Sequence, residues 1–187
     1  MVAELMLQKT VAVKVGGVYE TFLEEYPTPA ALAAASVAKI RGAIETLGLQ
    51  FTRAKRFKEL GRKILGKHGG EIPRRIEALR GLPGVGKYTA NAVRCFAFRE
   101  DAALVDTNFS RVLGRVFYGD EKSLPHAKPD SWAFAWKLIP KGRSREFNYA
   151  VLDFASLICK ADGARHEACP IKNICKFVRL KSDSYRG

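Results

Sequence analysis

Apolar residues return at close to helical spacing along nearly the whole chain, and no alternating run bounded by turns reads as a strand. Leu5, Leu7, Val11, Val15, Tyr19 and Phe22 form the first such series, which runs until Pro27 and Pro29 break it. An Ala-rich helix over 28–35 opens on a Thr-Pro pair. Residues 36–48 repeat the theme, with Ile40, Ile44 and Leu47 on one face and Gly48 as the stop. The spacing over 52–68 predicts a helix with Phe57, Leu60, Ile64 and Leu65 inward and a dense basic outer face. The class that follows is all-α. A chain of 187 residues suits one ordinary domain or two small ones, with enough core to fold without disulfide staples.

Charge narrows the partners. The chain carries 32 Lys and Arg against 19 Asp and Glu, a formal net charge of +13. The excess is local: residues 51–100 hold thirteen Lys and Arg against four Asp and Glu. A concentrated basic face points to a polyanion, most simply nucleic acid, rather than to uniform solubilisation. No stretch reaches the ~18 consecutive apolar residues of a membrane helix. The start, Met1-Val2-Ala3-Glu4, lacks the charged opening of a signal peptide, so a cytoplasmic, nucleoid-associated protein is expected. In such a reducing compartment the crowding of Cys159, Cys169 and Cys175 favours a metal over a disulfide, while Cys95 stands apart on a helix.

The segment from Ile72 to Gly81 predicts a short helix started by Pro73, and a long helix runs from Lys87 through Ala97. Between them lies Leu82-Pro83-Gly84-Val85-Gly86. A Gly-x-Gly hairpin leaves backbone N–H groups uncovered at a helix N-terminus, where the positive dipole end suits a phosphate oxygen and a bare glycine lets it come near. A plain α-hairpin has the same outline; the basic block around this one favours the phosphate reading.

The hairpin run from Leu82 to Ala90, followed by Leu104-Val105-Asp106-Thr107-Asn108, resembles the helix-hairpin-helix base-excision DNA glycosylases related to endonuclease III and the adenine mismatch glycosylase. Further matches are Glu4 to Thr10, Gly48-Leu49, Phe147-Asn148 with Asp153, and the closing cysteine loop, so the likeness spans essentially the whole chain. It implies a two-lobed all-α glycosylase fold: residues 1–100 with the hairpin motif over 72–97, and residues 101–187 with the catalytic aspartate and a C-terminal metal-cluster loop.

Breaking an N-glycosidic bond passes through an oxocarbenium-like sugar, so a carboxylate near the anomeric carbon stabilises charge that exists only in the transition state. Asp106 matches the family's catalytic aspartate, and the same residue suits the N-cap of a helix over 107–116. Bifunctional relatives carry a Schiff-base lysine where this chain has Tyr88. A phenol forms no imine, which implies a monofunctional enzyme, and Lys87 is turned ~100° away on the helix. Tyrosine here is similar to the thymine glycosylases acting on G·T mismatches; it also suits a plain pocket wall. Glu4 matches the glutamate that reaches the base or the attacking water, and at i, i+4 it shares a helix face with Gln8. Gln8 resembles the wedge that fills the place of a flipped nucleotide, Leu49 and Gln50 the loop pressing on the opposite strand. Asn148 would orient Asp106 by hydrogen bonding, and Leu82, Gly84, Val85, Gly86 and Lys87 would grip phosphates, as would Lys160 and Arg165. Leu5, Leu7 and Phe147 read as core.

The family's cysteine loop holds a [4Fe–4S] cluster through four cysteines. Here Cys159, Cys169 and Cys175 keep the spacing and His166 takes the second place. Histidine is known in clusters, and three cysteines with one histidine also suit zinc, the lesser alternative. The implied activity is removal of thymine or uracil opposite guanine from double-stranded DNA by a monomer. Adenine opposite oxidised guanine ranks second, because the sequence ends soon after the cysteine loop, where the adenine enzymes carry a further domain. Oxidised pyrimidines rank third because of Tyr88. A non-catalytic, structure-specific DNA-binding protein is the reading from another class, and Asp106, Glu4 and Asn148 together speak against it.

Overall fold

The computed structural model describes residues 1–122 and 124–184, with side chains through Leu180, and divides into two compact units, Met1–Phe98 and Arg99–Gly187. The described residues are helical with no strand, as the spacing predicts. No helix among them is long and apolar enough to cross a membrane.

The first unit comprises α1 (Val2–Leu7), α2 (Ala12–Glu25), α3 (Pro29–Ala34), α4 (Val37–Ala43), α5 (Gln50–His68), α6 (Ile76–Arg80) and α7 (Lys87–Ala92), the last continued by a π-helical turn over Val93–Ala97. Local chemistry sets several ends. Thr28 accepts from the N–H of Ala31 at 3.1 Å ahead of α3, and Ser36 accepts from that of Lys39 at 3.1 Å ahead of α4. The core gathers on α5, where Phe57 meets Phe22 at 5.0 Å between ring centroids and Phe22 meets Tyr26 at 4.8 Å. Burying each such ring contributes about 2–3 kcal/mol. Gly61 lets α3 cross directly on α5: a Cβ there would lie 2.7 Å from both the Ala33 nitrogen and the Pro29 oxygen.

The second unit comprises α8 (Thr107–Leu113) with a π-helical turn over Gly114–Tyr118, α9 (Pro129–Leu138), α10 (Ser144–Leu157) and α11 (Lys176–Ser184). Ahead of α8 the apolar run Ala102–Val105 is buried and forms no helix. Phe109, Val112, Leu113 and Trp132 are buried in the same unit, and the Trp132 indole donates to the His126 carbonyl at 2.8 Å.

Five expectations need correction. The first periodic series is two helices, because the chain turns at Gln8–Val11 with Lys9 in the left-handed region (φ 56°), which leaves Leu7 and Val11 exposed. Glu4 and Gln8 therefore do not share a helix; Gln8 is the C-cap of α1. Leu65 faces solvent, since α5 buries only the stripe through Phe57, Leu60 and Ile64. Pro73 does not start α6, which begins three residues later after Arg75, and Phe147 is only half-buried, its ring edge-on to Phe109 at 6.3 Å.

Candidate functional site

In the first unit, α6 and α7 present the hairpin. Leu82 and Val85 turn into the core, so their side chains anchor the loop and what remains accessible is backbone together with Gly84, Gly86 and Lys87. Gly84 is left-handed (φ 77°), and a Cβ on it would run into the Arg56 side chain; a Cβ on Gly86 would meet nothing within 4 Å. Lys63 donates to the Gly81 carbonyl and ties α5 to the hairpin. Gln8 joins it from another side, donating to the Gly84 carbonyl at 2.9 Å while its amide oxygen accepts from Arg56 at 3.2 Å. Partial burial, with Arg80 beside it, pulls the Lys87 pKa below the ordinary lysine range. Tyr88 and Glu4 are both half-buried.

Two loops flank this surface. Leu49 is left-handed (φ 51°) and 58% exposed, and Gln50 opens α5 behind it. Gln8, Lys9, Leu49, Thr52, Arg53 and Arg56 line an open cavity of about 190 Å³. Arg53, missed by the sequence reading, is 4% exposed although it lies on the basic helix. Burial first, and then Arg56 nearby, draws its pKa below the usual arginine range.

In the second unit, Asp106 caps α8: one carboxylate oxygen accepts from the Phe109 N–H at 2.7 Å and the other from Asn108 at 3.3 Å. Asn108 in turn accepts from Arg111 at 2.8 Å, and Arg111 donates to the carbonyls of Cys159 at 3.0 Å and Ala155 at 3.1 Å. Asn148 does not reach that carboxylate. Its amide donates to the carbonyls of Ala102 at 2.9 Å and Ser144 at 2.8 Å, and its oxygen accepts from the Leu104 N–H at 3.3 Å. Ser144 accepts from the Ala102 N–H at 3.0 Å. A buried segment outside helix and sheet must satisfy its backbone elsewhere, and these two side chains of α10 do so. The asparagine acts on the segment that carries Asp106, not on the carboxylate itself.

Cys159, His166, Cys169 and Cys175 all line one small cavity of about 20 Å³, with Arg115, Ile158 and Phe177. In donor chemistry and in placement the four fit a soft metal group. In convergence they do not, because among the described residues no three Cys, His, Asp or Glu side chains come together as a ligand set. The four-ligand site expected from the spacing is not assembled in this loop conformation. Arg115 holds the loop, donating to the carbonyls of Lys160 at 2.6 Å and Ala161 at 3.2 Å and pairing with Glu121 at 2.8 Å. Lys160 is half-buried, Arg165 is exposed, and Cys95 is fully buried in the first unit.

Comparison with known proteins bears on this arrangement. The chain is 40% identical over 185 residues to the thymine/uracil-DNA glycosylase of Pyrobaculum aerophilum, covering 97% of this chain and 80% of that protein. It is 41% identical over 180 residues to the thymine-DNA glycosylase of Aeropyrum pernix, covering 95% and 81%. Among solved structures, a thermostable thymine-DNA glycosylase superposes with a TM-score of 0.92 at 35% identity, over 96% of this chain and 82% of that one. Residues 2–140 match the family of HhH-GPD superfamily base excision DNA repair proteins, and the chain belongs to it.

Proposed function

We propose that this protein is a monofunctional DNA glycosylase that binds double-stranded DNA as a monomer and removes thymine or uracil opposite guanine. The observation that carries the reading is the presentation of Asp106, with both carboxylate oxygens held at the head of α8 and its backbone approach fixed by Ser144 and Asn148. The names of the relatives at 40% and 41% identity support the choice of base.

Asp106 stabilises positive charge on the sugar as the C1′–N bond breaks and its electron pair leaves with the base. The oxygen of a water bonds to C1′. One of its hydrogens stays as the hydroxyl of the abasic sugar, and the other passes through Glu4 to the base nitrogen. Tyr88 forms no imine, so the strand stays intact. The backbone of the hairpin with Lys87, together with Lys160 and Arg165, neutralises phosphates; Gln8, Leu49 and Gln50 meet the stack that the base has left. Cys159, Cys169 and Cys175, with His166 as fourth ligand, would hold a [4Fe–4S] cluster in a structural role once the loop draws them together, zinc being the alternative, and no step of the reaction runs through it.

Duplexes bearing single G·T, G·U, A·oxidised-guanine or oxidised-pyrimidine lesions test this. Strand breaks after alkali from the G·T and G·U duplexes, and none without alkali, are expected. No abasic product, or full activity in Asp106→Asn, overturns the glycosylase; a borohydride-trapped adduct on the wild type overturns monofunctionality. Iron, sulfide and zinc analysis of the native protein and of His166→Ala decides the metal, and the absence of all three removes it.

A further inference from the structure

Both loops beside the hairpin hold a non-glycine residue in the left-handed region, Lys9 at φ 56° and Leu49 at φ 51°. Such backbones are costly for residues with a Cβ and persist only where the surroundings over-determine them. One side chain grips the carbonyl immediately before each: Arg53 donates through Nη2 to the Gln8 oxygen at 2.8 Å and through Nη1 to the Gly48 oxygen at 2.7 Å. The same guanidinium reaches Thr10 Oγ1 at 3.1 Å and the Leu47 carbonyl at 3.2 Å, and Thr10 Oγ1 donates to the Leu47 carbonyl at 3.0 Å. All of these acceptors are neutral. Arg53 thus joins two turns some forty residues apart in sequence, and its planar fork is what allows one residue to hold both.

We propose that Arg53 is a positioning residue that clamps the Gln8–Thr10 and Leu47–Leu49 turns into one preformed pair for entry into the duplex. The proposal rests on the functional reading above and assigns a residue which that reading leaves out. A prearranged pair loses little conformational freedom on binding; a loosened pair must be ordered at that moment. The effect therefore falls on duplex engagement and not on bond breaking.

Arg53→Lys keeps the cation and removes the fork. For a G·U duplex it is expected to raise KM about tenfold while changing the single-turnover rate at saturating duplex by less than about threefold. A 2-aminopurine placed beside the mismatch should brighten less on binding the variant than on binding the wild type, since its fluorescence reports unstacking. Gln8→Ala should cost clearly less in the Arg53→Lys background than alone, because the wedge is already misplaced. A merely structural arginine would lower the melting temperature and leave the KM to rate split, the fluorescence and the additivity untouched. Unchanged KM and fluorescence in a folded Arg53→Lys protein overturns the clamp. If that variant does not fold, Thr10→Val, which deletes one acceptor and the bond between the loops, decides: a rise in KM of about threefold supports the clamp and no change refutes it. If the wild type excises neither thymine nor uracil, the functional reading falls, and the fluorescence comparison still tests the clamp.

Discussion

Each unit of the molecule contains one buried arginine that collects loop carbonyls, and the two differ in how their charge is met. Arg53 in the first unit is 4% exposed and has only neutral acceptors, the carbonyls of Gln8, Leu47 and Gly48 and the hydroxyl of Thr10. Arg115 in the second is 6% exposed; it holds the carbonyls of Lys160 and Ala161, stacks on Phe177 at 5.1 Å and pairs with Glu121. Both solve the problem of irregular chain that has no ladder of its own. The first leaves its positive charge uncompensated beside Arg56 and Lys9, where an approaching phosphate would feel it. The second is neutralised within the unit, so the cysteine loop is held without adding to that field. Of the two buried arginines, the first adds to the field that attracts a duplex and the second holds a loop in place.

If that division is right, Asp106→Asn should lower excision about a thousandfold while duplex affinity, read by fluorescence anisotropy, changes little. A parallel loss of binding would break the division. Arg115→Met strands Glu121 and two carbonyls and should cost about 3 kcal/mol, seen as a lower urea midpoint. Gly84→Ala forces a Cβ into a left-handed position against Arg56 and should cost about 1–2 kcal/mol, with weaker duplex binding as its main readout. The smallest effect concerns Tyr26 alone, whose phenol is pushed up to about 12 by burial, with Glu25 accepting its hydrogen bond and adding negative charge nearby. A raised phenol favours the neutral form in the fold. Its contribution is whole below the unfolded value near 10 and fades as pH rises from there toward 12, and Tyr26→Phe should remove that part of the alkaline loss.

Features that depend on neighbours in sequence were legible. The opening of α3 at Thr28 acts over three residues, and so does the capping of α8 by Asp106, whereas the helix expected over 36–48 ends at Ala43 and Gly48 stops only a 3-10 turn over Glu45–Leu47. The helical class follows from spacing in the same way. What escaped depends on partners far along the chain. The break after α1 is held by Arg53, 45 residues from Gln8, so the apolar spacing of Leu7 and Val11 gave no sign of it. Asn148 reads from the family pattern as a partner of Asp106, yet beside its bond to Ser144 it holds backbone 44 and 46 residues away. Arg111 and Arg115 look like surface charge on an amphipathic helix until the cysteine loop folds against them. The cysteine spacing conveys which donors are available and not whether they converge.

The pairing of α10 with the run before Asp106 fixes a register. Ser144 and Asn148 stand four residues apart on a helix, about 6 Å along its axis, and they accept from the N–H groups of Ala102 and Leu104, two residues apart in the buried run. One turn of helix is thereby matched to two residues of irregular chain. Inserting or deleting one residue between 102 and 106 would put Asp106 out of step with these two bonds and away from where α8 needs its cap. The four steps from Ala102 to Asp106 are thus set by one turn of a helix more than forty residues downstream.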